Sequence, residues 1–238
     1  MRLSQLFYYI QVMVITLLLS SHVGAALNDK MVKTPSRSGI TLFTDDFSGY
    51  ENGSSGSPPW YVYWGNAKVT DGAYLLYSVE AKSYDETYSA LSALHAEWRN
   101  YRVSLRVKTE KQLRSSMPNP WEVAWILFRF QNIYNFYYFI LKTNGVELGK
   151  RENGDFFGPS SQIFLYTHGS PTLQFGEWYN FRIEVLNMNN NAVKIRVWIN
   201  GKIVVDYLDT ETTLLYGGIA LYVEDSVSAF DDVIVEKI

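Results

Sequence analysis

Two-residue periodicity, repeated in short runs, most narrows what this chain can fold into. In residues 101–109, Tyr101, Val103, Leu105 and Val107 alternate with Arg102, Ser104, Arg106 and Lys108. Phe181, Ile183 and Val185 oppose Arg182 and Glu184 in the same way, and Val193, Ile195, Val197 and Ile199 oppose Lys194 and Arg196. Successive side chains of a strand point to opposite faces, so each run reads as a half-buried antiparallel strand. Further strand-like runs occupy 41–47, 61–64, 67–69, 73–78, 87–91, 123–131, 136–142, 146–152, 163–167, 202–206, 218–223 and 228–236. Short runs rich in Val, Ile, Tyr, Phe and Trp, broken by Gly, Asn, Asp and Pro, predict an all-β, two-sheet antiparallel β-sandwich. Helical periodicity is almost absent, and only residues 85–98 offer room for a short helix or turn.

The turns support the same reading. Asn200-Gly201, between two strand runs, is the strongest hairpin signal, because a type I′ turn needs positive φ at both central residues. Asp71-Gly72 and Asn144-Gly145 are similar. Residues 123–131 and 136–142 are apolar or aromatic on both faces and should be central strands. Residues 51–59 and 155–162 are Gly-, Ser- and Pro-rich loops.

The first 26 residues read as an export signal. Arg2 supplies a positive start, residues 6–19 are an apolar run, and the small residues 23–26 offer a cleavage site. The run is shorter than the ~20 residues that cross a bilayer; an uncleaved N-terminal anchor is the alternative. Either way the folded part is expected to be secreted or at the cell surface, with no membrane insertion once the signal is removed. Residues 27–40 read as a linker and 41–238 as one sandwich domain. Removing the signal leaves 238 − 26 = 212 residues, enough to bury a stable core without disulfides. There are no cysteines, which excludes disulfides and thiolate chemistry. A net charge of −3 gives no basic surplus for phosphates, so no nucleic acid is expected as partner.

Several segments together resemble the concanavalin A-like lectin/glucanase superfamily, in its laminin-G-like and keto-disaccharide-hydrolase-like branches. They are Thr44-Asp45-Asp46-Phe47-Ser48, Trp60, Asp71-Gly72, Trp98-Arg99-Asn100-Tyr101, Ile126-Leu127-Phe128-Arg129-Phe130-Gln131, Asn135-Phe136-Tyr137-Tyr138 and Gly176-Glu177-Trp178-Tyr179. Val197-Trp198-Ile199-Asn200-Gly201 and the closing pair Gly218–Tyr222 and Ala229–Val233 complete the series. The resemblance spans residues 41–238 and implies a jelly roll of two curved sheets, one concave face being a glycan site. The catalytic motifs of that superfamily are missing. No E-x-D-x-E strand occurs, and Arg182-Ile183-Glu184 matches one lyase strand without the companion Gln-x-His strand. His95 and His168 sit in no recognisable catalytic motif. Glu147, Glu152 and Asp155 lie near turns and read as solvated. The chain is therefore not read as an enzyme.

Two constellations remain. Asp45 and Asp46 near the start and Asp231 and Asp232 near the end would, by the resemblance, lie on adjacent strands. A structural Ca²⁺ would relieve their repulsion, as relatives hold calcium there; the alternative is that these residues cap turns and face solvent. The second constellation is Trp125, Arg129, Tyr138 and Tyr222. Sugar C–H faces pack on aromatic rings and sugar hydroxyls suit a planar guanidinium. Strict alternation puts Trp125, Leu127 and Arg129 on one face, taken as the concave one. The alternative is that these rings are sheet core. The expected function is non-catalytic binding of a poly- or oligosaccharide. The alternatives are a glycoside or keto-disaccharide hydrolase of the same fold, and a laminin-G-type adhesion module with a flat aromatic patch.

Overall fold

The structure, a computed structural model, describes residues 39–83, 85–152 and 162–238. The export signal and nearly all of the linker lie outside the described residues, as does Asp155. The described residues carry fifteen strands in two antiparallel sheets, with one short 3-10 turn at Asn189–Asn191.

The first sheet contains β1 (Ile40–Asp45), β3 (Asn66–Thr70), β4 (Ala73–Tyr77), β6 (Tyr101–Gln112), β11 (Tyr179–Asn187), β12 (Val193–Ile199), β13 (Lys202–Asp209) and β15 (Ser226–Lys237). Its order is β13-β12-β11-β6-β15-β4-β3, with β1 also paired to β15. The second sheet contains β2 (Tyr61–Trp64), β5 (Ser89–Leu94), β7 (Ala124–Asn132), β8 (Asn135–Lys142), β9 (Gly145–Arg151), β10 (Gln162–His168) and β14 (Gly218–Glu224). Its order is β10-β9-β8-β7-β14-β5-β2. The two-sheet sandwich with jelly-roll character is thus as expected.

The alternating runs form the ladder of the first sheet. Tyr101, Val103, Leu105 and Val107 of β6 are buried, with Arg102, Ser104, Arg106 and Lys108 only partly so. Phe181, Ile183 and Val185 of β11 face the same way and pair in register with Leu105, Val103 and Tyr101. Across the gap the second sheet contributes Ile126, Phe128, Phe139, Ile219, Leu221 and Val223. Phe139 meets Phe181 edge to face at 5.6 Å, which marks the contact between the layers. Packing such rings and branched chains between two sheets supplies the main stabilising term.

The two runs that are apolar on both faces, β7 and β8, are interior strands of the second sheet. Asn200 and Gly201 join β12 to β13 with φ of 49° and 79°, the conformation a type I′ turn demands. Asp71 and Gly72 do the same between β3 and β4, with φ of 50° and 73°. Between Asn144 and Gly145 only the glycine has positive φ. Residues 85–98 hold no helix: β5 occupies Ser89–Leu94, its small Ser and Ala residues packed against β14 and β2.

Candidate functional site

The outward face of the second sheet carries a cavity of about 290 Å³. Its floor follows from alternation. In β7, Trp125 and Leu127 point out while Ile126 and Phe128 point into the core. In β14, Tyr222 and Glu224 point out while Leu221 and Val223 point in. In β8, Tyr138 points out between the inward Tyr137 and Phe139. Trp64, Ser89 and Leu91 close one side, and Phe136, Arg151 and Gln162 the other. Trp125 packs on Tyr138 at 4.8 Å and meets Tyr222 edge-on at 5.5 Å. The structure therefore brings together three of the four residues expected to bind sugar: Trp125, Tyr138 and Tyr222.

The fourth, Arg129, is elsewhere, and this corrects the sequence reading. Gly218 pairs with Phe130 and Ile219 with Phe128, so Arg129 is an extra residue in a β-bulge, with φ of 51°. The bulge turns Arg129 inward, where it is 0% exposed. Its guanidinium lies 5.6 Å from the Tyr101 ring centre and donates to the Val185 carbonyl at 3.5 Å. Nε and Nη1 have no hydrogen-bond partner among the described residues. Burial lowers its pKa to about 10. The bulge is held by the Tyr101 hydroxyl, which accepts from the Arg129 N–H at 2.7 Å and donates to the Gly218 carbonyl at 3.1 Å. Gly217 makes the approach possible, since a Cβ there would come within 2.4 Å of the Arg129 carbonyl carbon.

Polar groups in the cavity are fixed in place. The Tyr138 hydroxyl donates to Glu147 Oε1 at 3.0 Å and accepts from Gln162 Nε2 at 2.8 Å. Glu147 also pairs with Lys142 at 2.6 Å and is only 5% exposed. The expectation that it is merely solvated is overturned, because the neighbouring strands cover it. Glu152 is engaged as well, 3.1 Å from the Lys150 ammonium. Tyr138 lies flat because its neighbour across the ladder is Gly149, where a Cβ would come within 2.2 Å of the phenol oxygen. A glycine inside a strand often marks such a close approach. Trp125 Nε1 donates to the Trp121 carbonyl, and Trp64 Nε1 to Ser89 Oγ, both at 2.9 Å.

Glu224 is the one carboxylate among the described residues lining the cavity, and Arg151 the one cation. The Tyr222 hydroxyl donates to Glu224 at 2.6 Å. Burial, with the negative charges of Asp225 and Glu122 behind it, raises Glu224 to about 7 despite that hydrogen bond. Arg151 rests near the Phe136 ring at 5.9 Å and has no ion pair among the described residues. Behind Glu224, Arg114 is buried with Glu122 at 2.6 Å and Asp225 at 3.0 Å. The same guanidinium donates to the Ser83 and Glu86 carbonyls, and Asp225 accepts from the Tyr88 N–H at 3.0 Å. This network holds the cavity's Thr87 edge against the β14–β15 junction.

The four aspartates considered for calcium do come near one another, since β1 pairs with β15 and Asp45 lies opposite Val233. Each has other partners. Asp45 accepts from the Phe47 N–H, the Tyr50 hydroxyl and Trp60 Nε1 at 2.8–2.9 Å. Asp46 accepts from Ser48, while Asp231 and Asp232 pair with Arg106 at 3.4 and 3.5 Å. Burial and then the nearby Asp232 and Asp46 charges raise the Asp231 pKa. Among the described residues no group of three or more His, Asp or Glu side chains is placed to hold a metal ion.

Sequence reasoning missed Glu224, Arg151, Gln162, Trp64 and Phe136 as cavity residues. Tyr222 and Glu224 share parity, so the first was within reach. Arg151 and Gln162 reach the cavity only through the β8-β9-β10 pairing.

A family model described as 3-keto-alpha-glucoside-1,2-lyase-like domain matches residues 39–236. No curated protein is significantly similar to the chain in sequence. Among solved structures, the carbohydrate-binding module CBM66 from Bacillus subtilis superposes with a TM-score of 0.54 at 15% identity, over 75% of this chain and 95% of its own. A double mutant of alginate lyase Aly36B, in complex with an alginate tetrasaccharide, gives 0.55 at 13% identity over 82% and 96%. The metal-free carbohydrate recognition domain of Emp46p gives 0.58 at 7% over 82% and 97%. At such identities the likeness is one of fold, whereas the family model spans nearly all of the described domain. The chain belongs to the family of 3-keto-alpha-glucoside-1,2-lyase-like domains.

Proposed function

We propose that the protein binds a glycan in the cavity on the outer face of the second sheet. One observation carries this: Trp125, Tyr138 and Tyr222 form an aromatic floor edged by Arg151, Gln162 and Glu224. Rings offer faces to sugar C–H groups, and convergent polar groups fix the hydroxyls. Similarity in fold to a carbohydrate-binding module, an alginate lyase and a carbohydrate recognition domain supports the same reading. A glycan array probed with the folded domain tests it: binding that Trp125→Ala removes supports the reading, and an empty array overturns it. A flat adhesion patch of laminin-G type fits less well, because these rings enclose a cavity. The carbohydrate encounter would take place outside the cytoplasm if residues 1–26 direct export, which N-terminal sequencing of secreted protein tests. Calcium at Asp45, Asp46, Asp231 and Asp232 would need Arg106 to release its two partners. A calcium-dependent rise of several degrees in melting temperature would support that site, and no rise would remove it.

A second reading, elimination on a keto sugar, is favoured by Glu224. A carboxyl raised to about 7 in an aromatic cavity is matched to proton transfer near neutral pH. A ketone at C3 acidifies the C2–H; Glu224 as carboxylate would take that proton, the C–H electron pair would form a C1=C2 bond as the C1–O bond breaks, and the departing oxygen would take the proton from Glu224, giving an unsaturated keto sugar, an alcohol and the carboxylate again. Ordinary glycoside hydrolysis uses two carboxylates across the bond, and the cavity presents one among the described residues. Release of an alcohol from a 3-keto-glucoside, lost in Glu224→Gln with sugar binding retained, would establish this reading. No release by wild type would exclude it.

A further inference from the structure

We propose that the cavity is the inner end of a longer glycan track, whose outer subsite is formed by Tyr61, Tyr63 and His95. The inference rests on the glycan-binding reading above and names its substrate class as an oligosaccharide. The bulge at Arg129 reshapes this side of the sheet. By turning Arg129 inward it returns Phe130 to the cavity's side of the sheet, where it is 1% exposed and covered by the neighbouring rings. From there the rings are continuous. Phe136, a cavity wall, stacks with Phe130 at 6.1 Å; Phe130 meets Tyr63 at 5.9 Å and His95 at 5.8 Å. Tyr63 meets Tyr61 edge to face at 4.8 Å and Trp64, the opposite cavity wall, at 5.9 Å. Tyr61 ends the strip, 57% exposed.

Two features identify the occupant. The strip is amphipathic: the Tyr63 hydroxyl and His95 Nε2 are hydrogen-bonded at 3.1 Å, which sets the ring and keeps polar edges next to apolar faces. Such a surface suits a sugar better than an aliphatic protein side chain. The cavity itself, about 290 Å³, is at the small end for ligand sites. It houses the end of a glycan, and the rest of the chain must leave over a wall. Trp64 is the wall that continues, through Tyr63, into the exposed rings of Tyr61 and His95, with Phe130 packed under them.

The test is calorimetric titration of mono- to hexasaccharides of a gluco-oligosaccharide series and an alginate series into wild type, Tyr61→Ala and Tyr63→Ala. In the series that binds, affinity should tighten with length in wild type. Both variants should lose about three- to tenfold on the longest oligomer while matching wild type on the shortest one that binds. Tyr61 is exposed on an edge strand, so Tyr61→Ala should melt within a few degrees of wild type and keep the comparison sound. Equal affinity for short and long oligomers, or unchanged tightening in both variants, overturns the track and leaves the cavity reading standing. No binding of any oligomer in either series overturns both.

Discussion

The outward positions of β6, β11, β12 and β15 carry Arg102, Glu184, Arg196 and Glu236, and those of β7, β8 and β14 carry Trp125, Tyr138 and Tyr222. The two sheets obey the same alternation, yet their outer faces are opposite in kind. On the first sheet Arg102 bridges Glu184 at 2.8 Å and Glu236 at 3.3 Å, and Arg182 stacks on Trp198 at 3.9 Å. Those charges satisfy one another in reach of water. On the second sheet the outward side chains around the cavity are large rings, with Glu147 and Glu224 held by neighbours and Arg151 in no ion pair among the described residues. A face covered by its own ion pairs is complete without a ligand. A face of rings around one raised carboxyl and a guanidinium with no ion pair among the described residues is not. That contrast singles out the outer face of the second sheet as the candidate site.

Substitutions on the two faces should therefore differ in size and in kind. The largest effect is expected at Arg114→Met, which strands Glu122 and Asp225 behind the cavity without a countercharge. Breaking a buried network from one side costs about 3–5 kcal/mol, a fall of roughly 6–20 °C in melting temperature for a domain of this size. A loss below 2 °C would show that the network is solvated.

Gly149→Ala should come next, acting mainly on binding. The new methyl group must displace the Tyr138 phenol, so glycan affinity should drop about tenfold or more, while thermal unfolding shows the fold intact.

A pH series separates Glu224 from its surroundings. Its carboxyl is raised from 4.5 to about 7, so the folded state holds a proton that the unfolded chain has already released. That contribution to stability is full below about 4.5 and is lost as pH rises to about 7. The melting temperature of wild type relative to Glu224→Gln should fall across that window and stay level above it. A constant difference would mean that Glu224 titrates normally.

The smallest effect belongs to the first sheet: Arg102→Met should cost at most about 1 kcal/mol, and less at high salt. A loss as large as that of Arg114→Met would erase the distinction between the faces.

Local rules carried much of the fold. Asn200-Gly201 names its own turn, and residues 123–131 and 136–142 reveal by composition that both faces are covered. The site was legible only where alternation stayed regular. It did so at Trp125, Tyr138 and Tyr222. At Arg129 one inserted residue reversed the face, and its cause, the close approach of Gly217 and the Tyr101 hydroxyl, comes from distant parts of the chain. Glu147 looked solvated because it follows a turn by two residues, but β8 and β10 flank it in the sheet. Arg151 and Gln162 become cavity residues only once three strands have paired.

Calorimetric titration of the array's best glycan into wild type and Trp125→Ala reads out whether the cavity floor holds the sugar. Glycan binding in the cavity predicts at least a tenfold loss of affinity in a variant that still unfolds cooperatively. Unchanged affinity in such a variant would place the glycan elsewhere and contradict it.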